Sequence, residues 1–407
     1  MAVVHRAAPG SGERRAPYTI GMAVERLPKR WPRLYDGSEA EKRRRTGGTR
    51  QFSTELQFYT KNHRLYGNGS ELMNRFWQIW VCAFGLIFAA SQAQAGTITA
   101  YTALEEDEIA AYVEAAKTAM PDVEVQVLRL STGDLGARIL AEASNPQHDV
   151  IWGWAVTNMM DPRILDLLEP YDVKGADTLG AQYKADDNKW FAVTGYMAAF
   201  CANNERIKEK GLPMPKDWAD LLDPKFKGEV VMPNPVSSGT GYLQIVGIIQ
   251  QMGEEKGWAF LKELDANVAQ YIKSGSRPCK AARAGEYAVG TSLAFAAIQS
   301  IEEGFPVTMV IPSSGAGFEL EASGLMASSK NKDDAKKFLD WTLSADAAKL
   351  YGKYKEIVTT AGYEPPEAAQ KAGLPKDVSS VLLPIDFAKS AKERSAILDR
   401  WQKEIGR

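Results

Sequence analysis

Residues 98–103 alternate apolar and polar side chains and end in a polar turn, the period of a half-buried strand. The spacing then changes to helical over residues 105–119, with Ile109, Val113 and Ala116 on one face, and returns to strand over residues 123–130. Ser131-Thr132-Gly133 follows and opens a second helix through Leu135, Ile139 and Leu140. Residues 149–154 read as a third strand, ending in Trp152-Gly153-Trp154, and a helix is expected to finish at residues 164–168. Strands alternating with helices predict parallel βαβ units, whose ligands lie outside the carboxyl ends of the strands. The hydroxyl-rich turns at Thr102 and at Ser131-Thr132 fall at such ends.

Residues 190–203 form one long extended run, too long for an ordinary strand and expected to cross from one lobe to another. After turn signals at residues 212–215 and a short helix over 218–222, residues 230–233 make an apolar strand. A Pro-punctuated turn leads to Ser237-Ser238-Gly239-Thr240-Gly241, which opens another helix. An amphipathic helix over 258–264, a Ser/Gly cluster at 274–276 and a strand over 286–292 ending in Thr291-Ser292 come next. Strands are expected at 307–312 and 318–322, and charged helices at 333–347 and 390–405. The chain contains no internal repeat.

The first 95 residues follow a different pattern. Residues 1–72 carry 14 Lys+Arg against 7 Asp+Glu, include Arg43-Arg44-Arg45, and show no sustained apolar periodicity. They are expected to be a disordered extension that is not translated natively. Met73-Asn74-Arg75, the apolar residues 79–90 and Ala93-Gln94-Ala95 have the basic, apolar and small-x-small regions of a signal peptide in order, so residues 73–95 are expected to direct export to the periplasm from a start at Met73. The apolar run is shorter than the roughly 20 residues of a membrane span, although a retained anchor is the alternative.

Charge and cysteine content extend this reading. The overall net charge of −2 leaves 34 basic and 44 acidic residues in 96–407, a net of −10, which disfavours nucleic acid and anionic membranes as partners. Once Cys82 is removed with the export signal, Cys201 and Cys279 remain, and one disulfide is expected in an oxidising compartment. Two separately buried thiols are the alternative.

The two strand–hydroxyl–helix junctions carry the chemistry. Helix N-termini present unpaired N–H groups and partial positive charge, and Ser131, Thr132, Gly133, Ser237, Ser238, Gly239 and Thr240 add directed donors for an anion. Each serine also has a simpler role as a cap for its own helix, and both roles stay open at this point. Thr102, Ser274 and Ser292 are further strand-end hydroxyls, and Trp154 is an aromatic at a strand end. Glu319 and Glu321, two apart in a strand, share one face: either a solvated face or a carboxylate pair near a cleft, able to hold a ligand ammonium. The sequence after residue 95 holds one histidine, His148, read as surface or structural. Hydrolase elbow, Walker loop, Cys-x-x-Cys and His-Glu-x-x-His motifs are absent, so catalysis and His/Cys metal binding have no motif to rest on. Tyr101, Tyr196 and Tyr287 leave a ferric site as an alternative.

Three stretches resemble a known family: Ser131-Thr132-Gly133 before Ala137-Arg138-Ile139-Leu140-Ala141-Glu142, Val231-Met232-Pro233-Asn234-Pro235 before Ser237-Ser238-Gly239-Thr240-Gly241, and Ser274-Gly275-Ser276-Arg277-Pro278-Cys279-Lys280. With Met252-Gly253-Glu254-Glu255-Lys256-Gly257-Trp258, residues 97–405 resemble extracytoplasmic solute-binding proteins of ABC importers, in the group that includes ferric, thiamine and polyamine binders. They are most similar to the 2-aminoethylphosphonate binders.

The resemblance implies the two-lobed type II periplasmic-binding-protein fold, α/β, with a mixed sheet in each lobe and the ligand cleft between them. Lobe 1 is expected at 96–199 plus 315–407, and lobe 2 at 200–314. It further implies a monomer without cofactor that delivers a phosphonate to a permease in the inner membrane. The hydroxyls named above would hold the phosphonate, and Glu319, Glu321 and Trp154 its ammonium. Residues 293–295 (Leu-Ala-Phe) depart from the tyrosine-bearing pattern of the ferric binders. Another small anion or a ferric complex bound in the same fold is the alternative, and a secreted hydrolase or transferase the distant one.

Overall fold

A computed structural model describes residues 95–406. The extension and export signal expected within residues 1–94 lie outside the described residues. Eleven strands form one continuous mixed sheet: eight in the order β2-β1-β3-β10-β5-β8-β6-β7, with β4 pairing β10, and β9 and β11 pairing β5. They are β1 (Gly96–Thr102), β2 (Val123–Arg129), β3 (Val150–Ala155), β4 (Leu168–Glu169), β5 (Phe191–Asn203), β6 (Val230–Pro233), β7 (Val268–Ile272), β8 (Val289–Leu293), β9 (Val307–Val310), β10 (Phe318–Met326) and β11 (Ile357–Val358). The longer helices are α1 (Glu106–Ala119), α2 (Thr132–Ala141), α3 (Gly239–Met252), α4 (Glu254–Asp265), α5 (Ala294–Glu302), α6 (Lys332–Thr342) and α7 (Phe387–Glu404).

The crossing strand organises the fold. β5 is thirteen residues long and buried throughout. Residues 191–197 pair antiparallel with β10, whereas residues 198–203 pair antiparallel with β8 and β9. One backbone is thus shared by two halves of the sheet. In the first half, β1 runs parallel to β2 and β3; in the second, β6 runs parallel to β7 and β8. Each half has its own core, one around Trp152, Tyr112 and Phe338, the other around Phe200, Trp218 and Trp258. This is the two-lobed α/β arrangement expected of type II periplasmic binding proteins. A strand buried on both faces must be apolar at almost every position, which explains why residues 190–203 read as a run without alternation.

Several local expectations are corrected. The helix expected to end at residues 164–168 is two single turns, Val156–Met159 and Pro162–Leu165, followed by β4. Pro162 takes the first position of the second turn, where it needs no N–H donor. Residues 218–222 form a 3₁₀ turn stabilised by reciprocal capping from Asp217 and Asp220. The helix expected over 333–347 divides at Leu343-Ser344, where Ser344 caps a new helix by accepting the Ala347 N–H. Glu319 and Glu321 face no solvent, since β10 lies between β3 and β5 and both carboxylates are buried.

Cys201 on β5 and Cys279 in the helix Arg277–Arg283 are joined as a disulfide across 78 residues of chain. Among the described residues no helix is long and apolar enough to cross a membrane.

Candidate functional site

Two helix N-termini, one from each half of the sheet, open onto a single cavity of about 40 Å³. α2 follows β2 and enters through Ser131, which occupies the N-cap position with no side-chain cap bond. α3 follows β6, and Ser238 caps it by accepting the Gly241 N–H at 3.3 Å. A Cβ placed on Gly239 would lie 2.8 Å from Thr132 Oγ1 and 2.5 Å from the Tyr196 hydroxyl, so the two helix starts are in direct contact range. Glycine is needed there for close approach of the backbone. Both dipoles therefore direct partial positive charge and free N–H groups into one space.

Of the residues singled out from the sequence, Ser131, Thr132, Ser238, Gly239, Thr240 and Glu321 line this cavity. The others are near but serve the framework. Thr102 Oγ1 is fully buried and accepts the Leu104 N–H at 3.1 Å. The Ser237 hydroxyl turns away to donate to the Lys273 carbonyl at 3.0 Å. Ser274 Oγ shares a hydrogen bond with Ser276 Oγ, and the Ser292 hydroxyl donates to the Gly275 carbonyl, supporting a residue that does line the cavity. Gly133 donates its N–H to the Ser237 carbonyl at 2.9 Å, closing the wall between the two helix starts. The Trp154 indole N–H donates to the Thr132 carbonyl at 3.0 Å and its ring faces a different groove. Glu319 accepts from Thr157 Oγ1 at 2.6 Å and from the Leu320 N–H at 3.0 Å. Burial pushes its carboxyl up to about 7, against these donors.

Beneath the cavity lies a buried charge cluster that the sequence did not reveal. Lys355 Nζ bridges Glu108 Oε1 at 2.9 Å and Glu321 Oε1 at 2.7 Å, all three side chains being almost fully buried. Burial works against the ammonium, but the two carboxylates outweigh it and hold its pKa above the ordinary lysine range. Glu321 also accepts from Thr194 Oγ1 at 2.6 Å, and Glu108 accepts the Glu105 N–H at 2.6 Å. At the rim, Arg129 lies 3.4 Å from Glu105, whose other oxygen accepts from Ser276 Oγ at 3.0 Å. Arg129, Glu105, Lys355 and Gly275 all line the cavity and were missed, and Tyr196 lines it too, having been singled out only for a ferric site. The available signal was weak: Arg129 directly precedes the Ser131 junction, and Gly275 lies inside the third Ser/Gly cluster.

Contacts between the two halves hold the cavity closed: Gly133 to Ser237, Ser276 to Glu105, Lys273 to Asp134 at 2.6 Å, and Gln299 to Asp107 at 2.8 Å. Of the three tyrosines weighed for iron, Tyr196 alone lines the cavity; Tyr101 donates to Glu142, and Tyr287 accepts from Gln270. His148 is buried and stacked on Tyr101 at 4.0 Å, the structural rather than the surface role of the two expected. Burial depresses its pKa to about 4.

A family model of bacterial extracellular solute-binding proteins matches residues 163–390. The chain belongs to this family. An uncharacterized protein of Haemophilus influenzae is 32% identical to this solute-binding protein over 291 residues, 70% of this chain and 84% of the other. The probable ABC transporter periplasmic-binding protein y4fP of Sinorhizobium fredii is 27% identical over 334 residues, covering 79% and 88% of the two chains. Among solved structures, the periplasmic binding protein AfuA from Actinobacillus pleuropneumoniae, with exogenous fructose-6-phosphate bound, superimposes with a TM-score of 0.70 at 30% identity. That match covers 76% of this solute-binding protein and 98% of AfuA. Iron-bound HitA from Pseudomonas aeruginosa, at 18% identity and a TM-score of 0.64, shows the shared fold alone.

Proposed function

We propose that this protein is the periplasmic solute-binding component of an ABC importer and captures a small phosphonate, 2-aminoethylphosphonate, for delivery to a permease in the inner membrane. The observation that carries the reading is the convergence of the α2 and α3 N-termini, with Ser131, Thr132, Ser238 and Thr240, on one closed cavity. A tetrahedral oxyanion needs several donors from different directions, and two opposed helix starts with hydroxyls supply that geometry. Glu105, which lines the rim where Glu319 does not, supports the reading as a carboxylate for the ligand's ammonium. The small volume of the closed cavity favours a compact ligand.

A sugar phosphate is the second reading, favoured by the fructose-6-phosphate bound to AfuA. It uses the same phosphoryl clamp with a longer body directed toward Arg129 and Glu105. Isothermal titration of the purified protein with 2-aminoethylphosphonate, fructose-6-phosphate, inorganic phosphate, thiamine, spermidine and ferric citrate separates these readings. The proposal expects 2-aminoethylphosphonate to bind tightest. Preference for fructose-6-phosphate would keep the phosphoryl clamp and replace the ligand, whereas binding only of spermidine or ferric citrate would overturn both.

A further inference from the structure

A second concavity, a groove of about 840 Å³, is bordered by Gly133 and Val236, next to the Gly133–Ser237 contact. Its walls come from α2, the turns Val156–Met159 and Pro162–Leu165, Val236 and the C-terminal helix α7. They are largely apolar, through Leu140, Trp154, Met160, Ile164, Val236 and Leu398. Its charged lining is Arg163, Lys392 and Arg394 against one acid, Asp161, which is engaged by Arg163 at 2.6 Å.

Within this groove Arg394 is exceptional. Both terminal nitrogens of its guanidinium are buried without a hydrogen-bond partner among the described residues. The guanidinium carbon lies 4.0 Å from the centre of the Tyr242 ring. Arginine does not deprotonate in proteins, so burial leaves a permanent charge with its donor fork unpaired. Glu319, a buried acid whose charge acts on Arg394, is hydrogen bonded to Thr157 and Leu320 instead. Asn158, 8% exposed, also lines the groove, and its Oδ1 is buried and unpartnered. A planar fork matches a carboxylate through two parallel N–H···O bonds, the apolar walls match a hydrocarbon body, and Asn158 Oδ1 can accept a hydroxyl or water proton.

We propose that this groove is a second ligand site, distinct from the phosphoryl cavity, for a small organic carboxylate with an apolar body held by Arg394. The test is an NMR titration of the purified ¹⁵N-labelled protein with benzoate and hexanoate, with acetate and sulfate as controls, following the Trp154 indole and Asn158 side-chain signals. Saturable shifts are expected with benzoate or hexanoate and weaker ones with acetate and sulfate. Arg394→Gln should weaken the binding about tenfold or more, the value of a charge-assisted hydrogen bond, while Ser238→Ala leaves it unchanged. Should Arg394→Gln unfold, Arg394→Met retains the stacking on Tyr242 and Asn158→Ala tests the opposite wall. No saturable shift, equal affinity in the Arg394 variants, or displacement of the carboxylate by the phosphoryl ligand would each overturn the second site. Sulfate binding as tightly as benzoate would overturn its assignment to carboxylates.

Discussion

Capture of a ligand between the two halves implies an open state beside the closed one, and replacing Gly133 with alanine separates the two. Gly133 is the second residue of α2, and its N–H donates to the Ser237 carbonyl at 2.9 Å. A Cβ at this position would press into the Val236 carbonyl oxygen, well inside van der Waals contact, and would stand 3.0 Å from Ser237 Cα. Both obstacles are backbone, so no side-chain rotation relieves them. In the open state the substitution is an ordinary helical Gly→Ala, worth up to about 1 kcal/mol in favour of the variant. In the closed state it loses a hydrogen bond, about 1 kcal/mol, and adds overpacking of about 1–3 kcal/mol. The difference of about 2–4 kcal/mol corresponds to roughly 30- to 1,000-fold weaker ligand binding. Isothermal titration with the tightest ligand, paired with a thermal melt of the unliganded protein, reads both terms. Affinity within threefold of the unsubstituted protein, or a lower unliganded melting temperature, would refute the reasoning that this contact belongs to closure.

Ser238→Ala should weaken binding of the phosphoryl ligand while costing about 1 kcal/mol of stability through its cap to Gly241; equal affinity would show the hydroxyl to be a cap only. Replacing Cys201 and Cys279 with alanine should cost about 4.5 kcal/mol, from loop-closure entropy over 78 residues, read as a lower urea midpoint; an unchanged midpoint would contradict the pairing. Stability should fall by at least about 1.5 kcal/mol between pH 6.5 and 8, because burial raises Glu319 and Glu356 from 4.5 to about 7 each and raises Glu108 as well, against the attraction of Lys355. The folded state then holds protons that the unfolded state has released, so this contribution is full below pH 4.5 and lost as pH rises through 7. His148, depressed to about 4, acts in the opposite direction only below its unfolded value of 6.5. Glu356→Gln should remove about 0.8 kcal/mol of the loss in urea titrations, and an unchanged pH profile would exclude Glu356 as a source.

What the sequence made legible were features carried by contiguous residues. The crossing strand was visible as an unbroken apolar run, and the two helix-start junctions as strand, hydroxyl and glycine before a helix. The charge cluster was hidden, because Glu108, Glu321 and Lys355 lie on α1, β10 and the turn before β11, far apart in the chain. Nothing local marks Lys355. Ser237 and Ser238 illustrate a finer limit: adjacent hydroxyls at a helix start diverge, and the cap position alone faces the cavity while its neighbour turns to Lys273. For Glu319 and Glu321, period-two alternation placed both on one face, but whether that face meets solvent depended on the pairing of β10 with β3 and β5.

The central claim is that both helix N-termini grip one phosphoryl group at once. Amide NMR of the purified protein during titration with 2-aminoethylphosphonate tests it directly, since an N–H that donates to an oxyanion shifts strongly downfield. The amides of residues 131–133 and 238–241 should shift together, with the same saturation, and a shift confined to one set, or absent from both, would contradict the clamp.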